Sequence, residues 1–418
     1  MKMGKGNKRR KKYRLKPIPV AIAALLLALV IIVVFFLTSS CVGSVPAGGN
    51  MGDSSVEPSI EESSEEEPQP TSARMISFGD NLAHSSIVAE ASERAGGNGN
   101  YDFRGAYTHV KELVSLADIA TLNQETVLAK DRKPSGYPRF NTPQQMADAL
   151  DDLGIDLVTL ANNHTFDQGE YGLRTTLEYW QTIDVMTTGA YLNEQDASII
   201  RSIEVNDITF GFVSATEVTN GLSLPKGTEL VVFNTKDEEA MQERIAKAKK
   251  LYDVVVVNVH FGVEYTHKPT EYQKEYAQKL ADWGADIIVG HHPHVIQPIE
   301  WLEREDGGKT LCVYSLGNFL STQNENYSLV GGALDVTVTK DHVTNEVEIT
   351  EARFIPLVTH YNPRKREVAV YPFDQYTAEL AAKHGMRNYA DYSKTFSMEY
   401  IDELVHKVID EEFLTPYK

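Results

Sequence analysis

Short apolar runs recur along the chain, with helical patterns between several of them. Seven runs have the length of buried strands: Met75–Phe78, Ile119–Leu122, Leu157–Leu160, Ile208–Val213, Val254–Val259, Ile287–Val289 and Leu311–Tyr314. Apolar residues at helical spacing predict a helix capped by Thr142 and ended by Gly154, a second over Asp237–Leu251, and a third capped by Thr270 and ended by Gly284. Helices that lie between apolar strands are typical of an α/β domain.

The pattern changes in the last third of the chain. From Ala333 to Pro356 one strand-like segment follows another, including Leu334–Val338. This succession predicts either two packed sheets or one mixed sheet with an antiparallel part. Cys312 lies in an apolar run and is most simply a buried strand residue. A last helix is predicted at Met398–Glu412.

The first forty residues have the pattern of a membrane anchor. Residues 1–16 carry nine cationic side chains and no acidic one, and Val20–Leu37 is an uninterrupted apolar run of 18 residues. As a helix this run is about 27 Å long, close to the roughly 30 Å apolar core of a bilayer. We therefore predict a basic cytoplasmic tail (1–16) and a transmembrane anchor (17–37), with the rest of the chain outside the cell membrane. A cleaved signal peptide, or a lipoprotein signal with Cys41 acylated, is the alternative.

The rest of the chain, residues 38–418, divides into three segments. Residues 38–73 are rich in Ser, Glu and Pro and predict a disordered acidic tether, because such a segment buries too little apolar surface to offset its ordering entropy. Residues 74–356 form the predicted domain, and 357–418 are a C-terminal extension. The chain is 42% hydrophobic with a formal net charge of −19 and two Cys. These values exclude wholesale disorder and a disulfide scaffold, and they argue against nucleic acid as a partner.

Polar clusters follow the predicted strands directly. Ligands of open α/β sheets bind at the carboxyl ends of the strands, so we expect these clusters to converge on one face. Six of the twelve histidines lie in them. The clusters are Gly79–His84, Asn123–Glu125, Asn162–Asp167, His260–Tyr265, Gly290–His294 and Ser315–Phe319.

Imidazole and carboxylate groups without thiolates are ligands of borderline divalent metals such as Zn, Mn or Fe. Two such ions about 3.5–4 Å apart can hold a phosphoryl oxygen and generate a hydroxide nucleophile. Any one cluster could be a capped turn or a buried, hydrogen-bonded histidine. Six in succession, each after a strand, predict a metal site.

In these clusters the sequence resembles a known family, the bacterial capsule-synthesis CapA family. The resemblance runs from about Met75 to Phe319. It implies a fold similar to calcineurin-like metallophosphoesterases: an αββα sandwich of two packed mixed sheets flanked by helices. It also implies a part in making or exporting poly-γ-glutamate. The motifs that carry it are Gly79-Asp80, Asn123-x-Glu125, Asn162-Asn163-His164-x-x-Asp167-x-Gly169, His260-x-Gly262-x-Glu264-Tyr265, His292-Pro293-His294-Val295-x-Gln297 and Ser315-Leu316-Gly317-Asn318-Phe319.

The resemblance also implies roles for single residues. His164 matches the histidine that protonates a leaving group, and Glu264 and Asn318 are candidate substrate-binding groups. The phosphoesterase pattern has His where this chain has Leu82, which leaves one ion or two ions of unequal affinity open. The implied metal ligands are Asp80, Glu125, Asn163, His260, His292 and His294, with His84, Asn123, Asp167 and His291 as further ligands or as groups that support the ligands.

Three functions are compatible with this reading. The first is a membrane-anchored extracytoplasmic protein of capsule or poly-γ-glutamate biosynthesis or export, with a His/Asp/Glu/Asn site for one or two divalent ions and an expected metal-dependent hydrolase activity that the sequence leaves open. The second is an extracellular metal-dependent phosphoesterase not dedicated to capsule. The third is a non-catalytic subunit of an envelope polymer complex. The expected partners are an anionic envelope polymer or a phosphoester substrate, the membrane, and other capsule-synthesis membrane proteins.

Overall fold

The computed structural model describes residues 69–388 and 396–414, so the predicted tail and anchor, and the tether up to residue 68, lie outside the described residues. Within those two ranges no helix has the length and apolar character needed to cross a membrane.

The strands are β1 (Thr71–Asn81), β2 (Ile119–Gln124), β3 (Leu157–Thr159), β4 (Met186–Thr188), β5 (Ala190–Tyr191), β6 (Arg201–Val205), β7 (Ile208–Thr216), β8 (Val231–Val232), β9 (Val254–His260), β10 (Ile287–His291), β11 (Ile299–Glu303), β12 (Lys309–Val313), β13 (Asn318–Leu320), β14 (Val330–Lys340), β15 (Val347–His360) and β16 (Ala369–Pro372). The helices are α1 (Ser85–Arg94), α2 (Lys111–Ser115), α3 (Gln145–Leu153), α4 (Gly169–Trp180), α5 (Glu194–Ala197), α6 (Glu238–Leu251), α7 (Glu271–Asp282), α8 (Ala378–Lys383) and α9 (Met398–Val408).

Fourteen of the sixteen described strands form two mixed sheets, which confirms the α/β prediction, and β5 and β8 pair antiparallel as a separate two-stranded sheet. In the eight-stranded sheet the order is β16-β15-β14-β1-β2-β3-β4, with β13 also paired to β1. Strands β1 to β4 run parallel, whereas β14, β15 and β16 pair antiparallel, as the strand-after-strand pattern near the C-terminus predicts. In the six-stranded sheet the order is β11-β12-β10-β9-β7-β6; its four central strands are parallel and both edge strands are antiparallel.

Both faces of the six-stranded sheet are buried. Since side chains alternate along a strand, one face packs into the core that it shares with the eight-stranded sheet and the other packs under α6 and α7. Each fully buried aliphatic side chain there contributes roughly 1.5–3 kcal/mol. The first face carries Phe210, Phe212, Val254, Val256, Ile287, Val289, Leu311 and Val313, and the second carries Val213, Ala215, Val255, Val257, Val259, Ile288 and Cys312.

Two of the three predicted helix starts are confirmed and one is wrong. Thr270 caps α7 with a full capping box, and the Asp237 carboxylate caps α6. Helix α3 instead begins at Gln145, because the Thr142 hydroxyl donates to Thr126 rather than capping the helix. The predicted end of helix α3 is confirmed, since Gly154 caps it with a left-handed φ of 102°.

The parallel strands of both sheets meet at their carboxyl ends. In the eight-stranded sheet Asp80 lies in register with Asn123 on one side and Asn318 on the other. In the six-stranded sheet His291 lies in register with His260. The predicted convergence of the polar clusters is therefore a consequence of strand direction.

Gly290 is needed where β10 approaches β12 at this edge, because a Cβ there would lie 2.0 Å from the Tyr314 carbonyl oxygen. We expect Gly290→Ala to lower the free energy of unfolding by about 1–3 kcal/mol, measured by urea denaturation followed by circular dichroism. Gly105→Ala is the matched control, since its Cβ would meet the guanidinium end of Arg94, which can move aside. Equal losses in both variants would contradict this explanation.

Candidate functional site

Three buried side chains from three polypeptide segments form the centre of the site. Asp80 lies near the end of β1, Glu125 directly follows β2, and His294 follows β10. One ligand atom from each lies within 4.8 Å of the other two, and all three residues are buried. His294 Nδ1 is 3.4 Å from Asp80 Oδ2, and its Nε2 is 3.6 Å from Glu125 Oε1. Their spacing and chemistry fit a divalent cation.

A second group adjoins the first through Glu125. His260 Nε2 is 3.1 Å from Asn163 Oδ1 and 4.0 Å from Glu125 Oε1. Glu125 thus stands between Asp80 and His294 on one side and Asn163 and His260 on the other. A carboxylate in this position can contribute to one ion or be shared by two.

His291 and His292 complete the inner surface. His291 Nδ1 is 3.4 Å from Asp80 Oδ1, and the His292 ring lies 4.8 Å from the His260 ring between centroids. The backbone of His292 also donates to Asp80 Oδ2. His292 and His294 both have positive φ, 101° and 57°, a strained conformation that persists where the surrounding structure imposes it.

Several polar atoms at this centre are buried without a hydrogen-bond partner. They include both carboxylate oxygens of Glu125, both ring nitrogens of His291 and Nδ1 of His292. Leaving such groups unsatisfied costs free energy, so a native fold rarely collects them in one place. All are metal-ligand atoms, and their concentration around Asp80 fits a cation site.

The charges of the group are strongly coupled. Burial opposes ionisation of Asp80, but the neighbouring imidazoles of His291 and His294 hold its pKa well below the usual range. Burial raises the pKa of Glu125 well above its usual value. Burial also opposes protonation of His294, but Glu125 and Asp80 overcome it and raise the pKa of that imidazole to about 10. Burial lowers the pKa of His292 to about 3, which leaves its imidazole neutral, the form that binds metals.

His164 forms a buried pair with Asp167 beside the ligand group. Its Nδ1 lies 2.7 Å from Asp167 Oδ2, which also accepts from the Phe140 backbone at 2.7 Å. The Phe140 ring packs edge-on against the imidazole, with centroids 4.7 Å apart. Asp167 therefore orients the His164 ring through Nδ1. Nε2 of the same ring has no hydrogen-bond partner among the described residues.

Three asparagines hold the ligands in place. Asn123 donates to Asp80 Oδ1 and accepts from Asn162, which in turn accepts from the His164 backbone. Asn318 Oδ1 lies 3.0 Å from His294 Nδ1. Asn123 and Asn318 thus contact ligands through hydrogen bonds. Asn162 was missed as a site residue although it belongs to the Asn162-Asn163-His164 motif.

The remaining predicted residues lie at the periphery. Glu264 is exposed, and its charge raises the pKa of buried Glu125 further. His84 contacts the edge of the Phe140 ring, and its Nδ1 accepts from the Thr322 backbone. Burial lowers its pKa to about 3.

The C-terminal extension supports one wall of the site. The Tyr361 hydroxyl donates to the carbonyl of Gln323, whose side chain accepts from Asn318 and donates to the Tyr265 hydroxyl. The Tyr265 ring in turn lies 6.0 Å from the His294 ring. No local sequence pattern marks Gln323 or Tyr361, because their contacts join segments far apart in the chain.

Residues 74–323 match the family model of the bacterial capsule synthesis protein PGA_cap. The chain is similar to the PGA biosynthesis protein CapA of Bacillus subtilis, with 36% identity over 44% of this chain and 47% of that protein. It is also similar to the capsule biosynthesis protein CapA of Bacillus anthracis, with 32% identity over 52% of this chain and 54% of that protein. The chain thus spans about half the length of these two curated relatives.

Among solved structures, the calcineurin-like phosphoesterase YfkN from Bacillus subtilis aligns over 80% of this chain and all of that chain. The identity is 12% and the TM-score 0.40, a distant likeness.

A functional rather than structural role of Glu125 can be tested by Glu125→Gln. Because both carboxylate oxygens are buried without partners, we expect the metal-free variant to be as stable as the wild type within about 1 kcal/mol, while its metal affinity falls at least about tenfold. Urea denaturation in EDTA and calorimetric Mn²⁺ and Zn²⁺ titrations measure the two quantities. A loss of more than about 2 kcal/mol with unchanged metal affinity would identify Glu125 as structural.

Proposed function

The chain belongs to the bacterial capsule synthesis protein family PGA_cap, and from that premise we propose that it is a metal-dependent hydrolase of capsule or poly-γ-glutamate biosynthesis at the outer face of the cell membrane. The observation that carries the proposal is the buried Asp80, Glu125 and His294 group with its partnerless ligand atoms. A protein that only bound a partner surface would gain nothing from this arrangement and would lose stability by it.

The chain offers a full set of ligands for one or two ions. Asp80, Glu125 and His294 are proposed to hold the first, with His291 or His292 completing its shell. Asn163 and His260 would share Glu125 for a second. When bound, a divalent cation such as Mn, Zn or Fe supplies Lewis-acid polarisation of the scissile group and lowers the pKa of water.

His164 is proposed as the general acid. Because Asp167 accepts from Nδ1, the other ring nitrogen, Nε2, is the one that exchanges a proton with a leaving group. The carboxylate of Asp167 fixes the orientation of the imidazole. The Phe140 ring packs against the His164 ring, with centroids 4.7 Å apart.

The relatives and the N-terminal sequence support the proposed substrate and location. The two Bacillus relatives are named for capsule or PGA biosynthesis, and they support an anionic envelope polymer as the substrate, cut at a phosphoester or an amide bond. The basic residues 1–16 and the apolar residues 17–37 support a single-pass anchor with the site outside the cell. Other capsule-synthesis membrane proteins are the proposed partners.

The metal site is tested by elemental analysis of the purified full chain. We expect near-stoichiometric Mn, Zn or Fe in the wild type and its loss in a double variant with His292→Ala and His294→Ala, since two ligands of the group are then missing. His342→Ala with His406→Ala is the matched control, because both of these histidines lie outside the site. A metal-free wild type, or equal metal in all three folded proteins, would refute the proposal.

The acid role is tested by His164→Gln. We expect kcat on a responsive phosphodiester or γ-glutamyl substrate to fall about 10²–10⁴-fold while metal content is unchanged, because the proton donor is lost and the ligands are kept. Steady-state kinetics on bis-p-nitrophenyl phosphate and γ-glutamyl-p-nitroanilide, with elemental analysis, measure this. Undiminished turnover in the variant would refute the assignment. Metal-loaded wild type without turnover on either substrate would favour the non-catalytic subunit.

A further inference from the structure

A strongly basic loop lies beside His164. The basic loop, residues 130–139, connects the segment after β2 to the start of α3 and carries four cationic side chains and a single acidic one. The whole chain has a formal net charge of −19, so this local excess of positive charge runs against the composition of the protein. The cationic residues are Lys130, Arg132, Lys133 and Arg139, and all four are exposed.

The positive charges of the basic loop are not neutralised by ion pairs with the described residues. Within residues 69–388 and 396–414, Lys130, Lys133 and Arg139 form no salt bridge, and the Arg132 guanidinium lies over the Tyr171 ring at 5.3 Å. Some exposed cations elsewhere in the described residues are paired, as Lys279 is with Glu238. Unpaired, exposed cations keep their full field toward solvent.

The basic loop is held in a defined shape. Buried Asn141 donates from its side chain to the carbonyls of Ala129, Arg132 and Lys133, and its backbone pairs with Ser135. These bonds fix both arms of the loop without using any of its charged groups. The cations are therefore presented on an ordered frame, which reduces the entropy lost when they bind a ligand.

The same loop reaches the proposed general acid. Phe140, the residue that follows it, contacts the His164 ring and donates its backbone N–H to Asp167. Within the loop, Gly136 packs against Ser85, the first residue of α1, so closely that a Cβ would lie 2.3 Å from the Ser85 hydroxyl oxygen. The loop thus extends from the edge of the His164–Asp167 pair over the start of α1.

We propose that the basic loop is the docking site for a linear polyanion, which it guides toward His164. The inference rests on the proposed function. It identifies the surface that binds the part of the polymer outside the bond to be cut. Four exposed cations spread over both arms of the loop suit an extended chain with repeated negative charges better than a compact anion. An anionic lipid surface is the competing occupant, and the contact with His164 favours the polymer.

The test is binding of fluorescently labelled poly-γ-glutamate to the full chain in neutral detergent, followed by anisotropy at 50 and 200 mM salt. The loop variant carries Lys130→Gln, Lys133→Gln and Arg139→Gln and leaves Asn141 and Phe140 in place. We expect its Kd to rise about tenfold at low salt, with a shallower salt dependence than the wild type. Labelled polyphosphate in a second arm distinguishes a carboxylate polymer from a phosphate polymer.

The control variant has the same charge change at the opposite edge of the sheets: Lys111→Gln, Lys247→Gln and Lys250→Gln, all near the amino ends of strands β2 and β9. We expect its affinity to stay within twofold of the wild type. Equal losses in both variants, or unchanged affinity in the loop variant, would overturn the proposal. So would displacement of the polymer from the wild type by phosphatidylglycerol micelles, which would assign the loop to lipid.

The same measurement in EDTA, and in the variant with His292→Ala and His294→Ala, separates this inference from the proposed function. Polymer binding that persists without metal supports the basic loop as a site of its own, even if no hydrolysis is found. Binding that disappears with the metal would place the polymer on the ligand group and overturn the role of the loop.

Discussion

The structure depends on the burial of two carboxylates, Asp80 and Glu125, where two sheets meet. Buried carboxylates are costly unless a positive charge compensates them, and here the nearest basic groups are imidazoles such as His294. The ligand atoms come from the ends of strands in both sheets, so the site exists only when both sheets are formed and packed. Assembly of the site therefore requires both sheets to be folded.

The close approach of the strand ends explains why unfavourable features collect there. Gly79 and Gly290 leave no room for a Cβ, His292 and His294 have left-handed backbone conformations, and ligand atoms lack partners. Each feature lowers stability, and all lie within one small volume. A protein tolerates such a concentration where function requires it, and the extensive apolar core of the two sheets supplies the compensating stability.

The surroundings of the site are asymmetric. On the side of His164 the basic loop presents unpaired cations, whereas exposed Glu264 gives the other side a negative charge. The wall near Tyr265 is held by Gln323, which Tyr361 fixes from the C-terminal extension. In the proposed function, an anionic polymer would meet the cations of the loop on the side of His164 and the negative charge of Glu264 on the other side.

The apolar runs by themselves determined where seven of the strands lie, because apolar periodicity is a local property, and the polar clusters that follow these runs predicted a convergence at the carboxyl ends of the strands. The sequence also marked most site residues, including Asp80, His164 and His294. Only the tertiary structure decided that Glu125 stands between two ligand groups and that Thr142 bonds Thr126 instead of capping a helix. It alone brought the basic loop to His164 and Tyr361 to Gln323. These contacts join segments that are distant in the chain. They are determined by packing between elements, which leaves no periodic pattern in the sequence.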